Sequence, residues 1–172
     1  MSESRPAPRP ASGSHVTLTQ LMEITDANIA GNVHGGVVMR LADTAAAIAA
    51  FRHTGTLCVT VSVDEMSFLE PVHVGELLTV NAAVNDVGTT SLECGVRVDA
   101  EDPLSGRRIH ASSAYFVFVA LDDEGRPKVV PPLDVDSDDA RRRQAEAKLR
   151  RTSRMLHRAA LDERRRAGDP RD

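Results

Sequence analysis

A single carboxylate inside an apolar run is the group in this chain best placed to do chemistry. Asp43 interrupts Val37, Val38, Met39, Leu41, Ala42, Ala45, Ala46, Ala47, Ile48, Ala49 and Ala50. A helix that is apolar on nearly every side is expected to be buried all round. A lone buried charge is costly unless something compensates for it. Just upstream, Gly35 and Gly36 remove side chains from the expected helix entrance. A ligand there would meet bare N–H groups at the positive end of the helix dipole. Asn32 stands beside them. A carboxylate, an amide and bare backbone donors are the groups needed to act on a carbonyl. The first supplies a base or nucleophile, and the others stabilise a developing oxyanion.

The elements that must position these groups follow from the pattern. Val16–Ile24 reads as a strand, closed by Asp26-Ala27-Asn28. The loop 30–36 leads to a helix from Val37 to about His53, stopped by Gly55. Leu57–Leu69 reads as the next strand. There Val59, Val61 and Val63 share one parity while Met66 and Phe68 take the other, so a β-bulge is expected near Asp64-Glu65. On simple alternation, Thr60, Ser62 and Asp64 share one face, with Thr60 and Ser62 expected to line a pocket. Leu77–Val87, Ser91–Val98 and Arg108–Leu121 complete the strands, the first two joined by the tight turn Gly88-Thr89-Thr90-Ser91. Strand, buried helix, then four strands on short connections predict an α+β domain with an antiparallel sheet. The helix is too apolar to face water, so the sheet must wrap it, with a second subunit closing the remaining side.

Of the 172 residues, 41% are hydrophobic, enough for one real core. Residues 1–14 are rich in Pro, Ser and Ala and are expected to be disordered. The domain is expected over 15–135, with a helical extension over 136–172. Ser137 suits an N-cap, and Ala145, Leu149, Thr152, Leu156 and Ala159 form a narrow apolar stripe expected to pack on the body or a neighbouring subunit. From Ser137 onward there are 12 Arg and Lys against 7 Asp and Glu, so a basic tail faces an acidic body. The tail has no interleaved aromatics for base stacking, so nucleic acid is not expected as a partner. The N-terminus has no signal-peptide core and no apolar run reaches membrane-spanning length, so a cytoplasmic protein without membrane insertion is expected.

Other chemistries find little support. Cys58 and Cys94 read as buried reduced thiols, and the six histidines show no ligand spacing, so no metal is expected. No GxSxG elbow occurs, which disfavours a serine-hydrolase triad. His34, beside the two glycines, reads better as a pocket wall than as a base.

The runs GNVHGG, LAD, SVDEMSFLEPVHVGE, VNDVGTTSLECGV and AYFVFVALDDEGRP, in this order, resemble the hotdog-fold acyl-CoA thioesterases, in the acyl-CoA hydrolase branch. The resemblance covers Val16 to Leu133. It implies a sheet wrapped around the long helix, paired protomers forming a continuous sheet, and active sites at their interface. It implies that Asn32 and Asp43 are the active-site amide and carboxylate, drawn from opposite protomers. Gly36 N–H would meet the thioester oxygen, with His34 and Gly35 beside it, and Gly88, Thr89, Thr90 and Ser91 would lie along the coenzyme A arm. It implies an acyl-CoA substrate, no cofactor beyond the substrate's own coenzyme A, and a homodimer assembling as a hexameric trimer of dimers. Asp43 would act either as general base or as nucleophile through a mixed anhydride. HGGVVMRLADTA also resembles the phenylacetyl-CoA thioesterase branch, and a non-catalytic acyl-CoA sensor is a further alternative on the same fold.

Overall fold

Helix α1, Gly35–Thr54, sets the architecture of the computed structural model, which describes residues 6–167. It ends where expected. Gly55 takes a left-handed conformation, φ 71°, and its N–H donates to Phe51 O at 2.8 Å. The strands are β1 Arg9–Pro10, β2 Val16–Leu21, β3 Cys58–Phe68, β4 Leu77–Val87, β5 Ser91–Glu101, β6 Arg108–Ala120 and β7 Leu133–Asp134. The antiparallel five-stranded sheet has the order β2-β4-β5-β6-β3, and β1 pairs in parallel with β7. Strands β4, β5 and β6 follow as hairpins. Strand β3 does not pair with β4, its successor in the chain, but crosses to the far edge beside β6.

The core lies between α1 and one sheet face. Val38, Leu41, Ala42, Ala45, Ala46, Ala49 and Ala50 meet Val80, Val84, Leu92, Cys94, Val98, Phe116 and Phe118. Small residues on the helix let it lie close to the sheet. The expectation that α1 is buried on every side is not met by one chain: Met39 is 41% and Phe51 37% exposed, and Arg40 and Thr44 are also exposed. The helix therefore keeps an open flank, next to the free edge of β3. Asp43 is half-buried at the margin of that flank.

Residues 9–14, expected to be disordered, are ordered; residues 1–5 lie outside the described residues. Proline-rich composition suggests a chain with nothing to hold it, but specific polar partners do so. Arg9 Nη1 donates to the carbonyls of Arg52 and His53 at 3.1 and 2.9 Å, capping the orphan C-terminal carbonyls of α1. Ser14, fully buried in the turn Ala11–Ser14, accepts from Val84 N–H at 3.0 Å. That N–H sits beside a bulge, because register slips between Val84 and Asp86.

Helix α2, Asp138–Ala167, starts at the expected cap, with Ala140 N–H donating to Ser137 Oγ at 3.1 Å. Its orientation differs from expectation. Leu149 and Leu156 are 72% and 67% exposed, so the apolar stripe faces outward. The inward face is Ala140 and Ala147, both buried, with Arg143, Arg150, Arg151 and Arg154. This face crosses the sheet surface opposite α1. Arg150 Nη2 pairs with Glu93 at 2.7 Å and lies 3.5 Å from the Tyr115 ring centroid. Arg151 pairs with Asp86 at 3.1 Å, and Arg154 with Asp64. Burial pushes the Asp86 carboxyl upward in pKa, with Arg151 opposing. Leaving such acids buried and unpaired costs several kcal/mol each. Burying a leucine yields about 2 kcal/mol. The acids therefore set the rotation of α2.

Candidate active site

The site is built from the loop before α1, the open flank of α1 and strand β3. Asn28 organises the loop: its Oδ1 accepts from Ala30 N–H at 2.8 Å and Asn32 N–H at 3.3 Å, and its own N–H donates to Asn32 O at 2.7 Å. Gly31 takes φ 83°, which closes the turn. Asn32 then bridges His73, and His34 N–H donates to Asp26 O at 2.8 Å, fixing the entry to α1. Asn28, Asn32, Gly35 and Val38 line one side of a groove of about 380 Å³. Phe68 and the segment 69–72 line the other. A Cβ on Gly35 would stand 3.3 Å from the Phe68 ring, so glycine permits this close wall.

Gly36 N–H is not free as the sequence suggests. It donates to His34 Nδ1 at 2.9 Å, so His34 is the N-cap of α1. The Gly35 N–H, on the groove, has no acceptor among the described residues. Two turns into α1, Asp43 Oδ1 accepts from the Thr60 hydroxyl at 2.8 Å. This contact joins a helix carboxylate to β3 and leaves its second oxygen available.

Ser62 does not share a face with Thr60. Thr60 stands opposite Phe118 and Ser62 opposite Val117, with Val61 bulged between them. Each bulge flips the parity of the residues beyond it. Thr60 therefore faces Asp43, while Ser62 faces α2 and donates to Asp64 Oδ1 at 3.1 Å. The second bulge, at Asp64 between Val63 and Glu65, falls where the sequence pattern places it. The turn Gly88-Thr89-Thr90-Ser91 is held by α2, not by the groove: Arg151 Nη2 donates to Ser91 Oγ at 3.3 Å. A Cβ on Gly88 would collide with that guanidinium at 2.0 Å. One chain thus brings together Asn28, Asn32 and Gly35, and separately Asp43 and Thr60. Asn28 reads in the sequence only as a turn residue; its signal is an amide in an Asp-Ala-Asn turn at the mouth of the same loop. Among the described residues no group of three His, Cys, Asp or Glu is placed to hold a metal.

A five-stranded antiparallel sheet around one long helix, with a carboxylate on its open flank, is the hotdog architecture of thioesterases. Residues 30–106 match the thioesterase superfamily. The cytosolic acyl coenzyme A thioester hydrolase of Mus musculus is 38% identical over 148 residues, 84% of this chain and 39% of that protein. The acyl-CoA thioester hydrolase YciA of Escherichia coli is 37% identical over 120 residues, 67% of this chain and 90% of that protein. Among solved structures, a hexameric acyl-CoA thioesterase superposes with a TM-score of 0.86 at 32% identity, covering 91% of this chain and 99% of that one. The acyl-CoA hydrolase of Staphylococcus aureus, in complex with butyryl coenzyme A and coenzyme A, gives 0.85 at 31% identity, covering 92% and 97%. That enzyme has also been solved with alanine replacing its own Asp 43, Asn 28 and Thr 60. The chain belongs to the acyl-CoA thioester hydrolases of the thioesterase superfamily. It spans about two fifths of the length of the mammalian relatives it matches.

Proposed function

We propose that this protein hydrolyses acyl-CoA thioesters to a free carboxylic acid and coenzyme A. Water adds to the thioester carbonyl, the carbon–sulfur bond breaks and the thiolate leaves with a proton. The observation that carries the reading is the Asp43–Thr60 pair on the open flank of α1. Thr60 orients the carboxylate, whose other oxygen removes a proton from water or attacks the carbonyl itself. The bare Gly35 N–H, at the helix start, is a ready donor for the developing oxyanion. Gly36 N–H joins it only when His34 swings away. The reaction uses no cofactor beyond the coenzyme A of the substrate.

Either Asn32 or Asn28 supplies the amide that holds the carbonyl or water. Asn28 has the stronger support. The three replaced positions of the Staphylococcus aureus enzyme have the spacing of Asn28, Asp43 and Thr60 here, whereas Asn32 stands four residues closer to Asp43.

A second copy completes the site. Strand β3 is a sheet edge with Val59, Val61 and Val63 all 40% or more exposed, beside the exposed Met39 and Phe51 of α1. A long apolar edge of this kind invites pairing with another strand. Pairing across it brings the loop of one protomer toward Asp43 of its partner. Hexameric relatives support assembly as a trimer of such dimers. The cytosolic mammalian relatives support a cytoplasmic location, and no described helix is long and apolar enough to cross a membrane. Thiol release from short, long and aromatic acyl-CoAs tests the activity. Release abolished by Asp43→Ala is the expected result; no release from any acyl-CoA refutes the reading.

A further inference from the structure

Helix α2 is longer than the sheet it crosses. Its inward residues meet the strands from one edge to the other. Arg143 contacts His15 just before β2, Arg151 pairs with Asp86 of β4, Arg150 meets Glu93 of β5 and Tyr115 of β6, and Arg154 pairs with Asp64 of β3. Arg143 to Arg154 is about 16 Å of helix, and the five strands span about 19 Å. At Arg154 the helix has therefore reached the free edge of the sheet. Residues 155–166 carry it about 18 Å further.

This overhang is uncovered. Every residue from 155 to 166 is exposed except Asp162, which is half-buried. The inward face continues at helical spacing through His157, Arg158, Leu161 and Arg165. There it lines an open groove of about 490 Å³ to which the sheet contributes Ser62 alone among the described residues. A short helix without tertiary support is marginal in water. The segment carries four Arg against one Asp and one Glu. Arg158 has no carboxylate partner among the described residues, and Arg165 stands 3.8 Å from Asp162.

The same face of the edge strand has the complementary character. Val59 lies between the core-facing Cys58 and the Asp43-facing Thr60, so it points to the α2 side of the sheet, where it is exposed. Glu65 stands opposite Tyr115 and shares that side. It is exposed, and its carboxylate bonds only the Ser67 hydroxyl among the described residues. Two-fold pairing of β3 with β3 of a second copy continues the sheet in the direction in which α2 points. The overhang of each copy then lies over the outer sheet face of the other, where that copy's own Val59 and Glu65 are exposed.

We propose that residues 155–166 form an arm that docks on the second copy across the β3 seam, with Leu161 on its apolar strand surface and Arg158 and Arg165 toward its carboxylates. This docking presupposes the β3 pairing proposed above. It adds a reciprocal, charge-complementary contact on the face away from Asp43.

Hydrogen–deuterium exchange of the full chain, with the assembled mass from sedimentation, tests the arm. Val61→Lys places a charge on the exposed β3 edge and is expected to lower the mass to half or less. Exchange over 155–166 is slow in the wild type and is expected to rise at least about tenfold in this variant, as the arm loses its cover. Arg158→Glu with Leu161→Glu, altered only at exposed positions of α2, is expected to release the same segment and to weaken the paired species at least about tenfold. Fast exchange over 155–166 in the assembled wild type would mean a solvated basic tail and overturns the arm. Protection that survives in Val61→Lys of reduced mass places the cover on another surface and also overturns it. If Val61→Lys does not fold, the double variant decides: protection and pairing unchanged in it overturn the arm. An unchanged mass for folded Val61→Lys refutes the β3 pairing itself, and the arm with it. Thiol release on the same samples reports the thioester activity separately.

Discussion

The Thr60 hydroxyl donates to Asp43 Oδ1 at 2.8 Å, tying the edge strand β3 to the open flank of α1. Under the proposed mechanism this bond orients the carboxylate and does not itself take part in proton transfer. Thr60→Val is expected to lower kcat by about tenfold to a hundredfold with little change in KM. Asp43→Ala is expected to lose about 10²- to 10⁴-fold, the usual worth of a positioned base. Steady-state kinetics on folded variants decide this. Equal losses for both would give Thr60 a direct chemical role, and wild-type turnover in Asp43→Ala would remove Asp43 from the chemistry.

Asn28 and Asn32 separate by the same assay. Asn28 Oδ1 already accepts two loop N–H groups, whereas nothing among the described residues bonds the Asn32 side-chain amide. Asn28→Ala is expected to cost the larger share of kcat. If the amide and Asp43 come from opposite protomers, mixing inactive Asn28→Ala and Asp43→Ala proteins restores activity after subunit exchange. In each mixed dimer one interface site carries both lesions and the other carries none. Confirmed exchange by mass without recovered turnover would place both groups in one protomer.

These residues also show what the pattern of amino acids conveys. The bounds of α1 and β4 are legible because Gly55 stops the helix and Pro71 and Gly75 mark a turn before the strand. The bulge at Asp64 is legible because apolar parity changes across it. The bulge at Val61 is not, because a valine there preserves apparent alternation while the strand turns Ser62 away from Thr60. The role of residues 9–14 is hidden because Arg9 and Ser14 act through hydrogen bonds to backbone groups distant in the chain, which composition does not record. The rotation of α2 is hidden because its apolar stripe is visible in the sequence and the acids beneath the helix, distant in the chain, are not visibly its partners.

That rotation sets what substitutions on each face of α2 do. Arg150 covers Glu93, which is 4% exposed on its side chain, and Arg150 itself is 19% exposed. Arg150→Met leaves a buried carboxylate unpaired and is expected to destabilise the domain by about 3 kcal/mol. Replacing Leu149 and Leu156 together by serine removes only exposed apolar surface of one chain. The double variant is expected to keep the monomer's thermal midpoint but lower the assembled mass by light scattering. A lowered midpoint without a change of mass would mean that the stripe packs within the chain in solution.

His53 gives a pH test of the fold. It is 1% exposed at the end of α1, with Nε2 3.0 Å from Pro131 O. Burial is the main cause that pushes its pKa below the ordinary 6.5, and the positive charge of Arg9 adds to it. The native state therefore holds His53 neutral while the unfolded chain takes a proton near pH 6.5. Below that pH the unfolded state binds more protons, so stability falls with falling pH until the lower native pKa is passed. His53→Gln keeps a donor for Pro131 O and cannot titrate. The wild-type midpoint minus that of the variant is expected to be flat above about pH 7 and to decline from about pH 6.5 downward. A difference that stays constant across this range would mean that His53 titrates alike in both states, and that its burial carries no proton linkage.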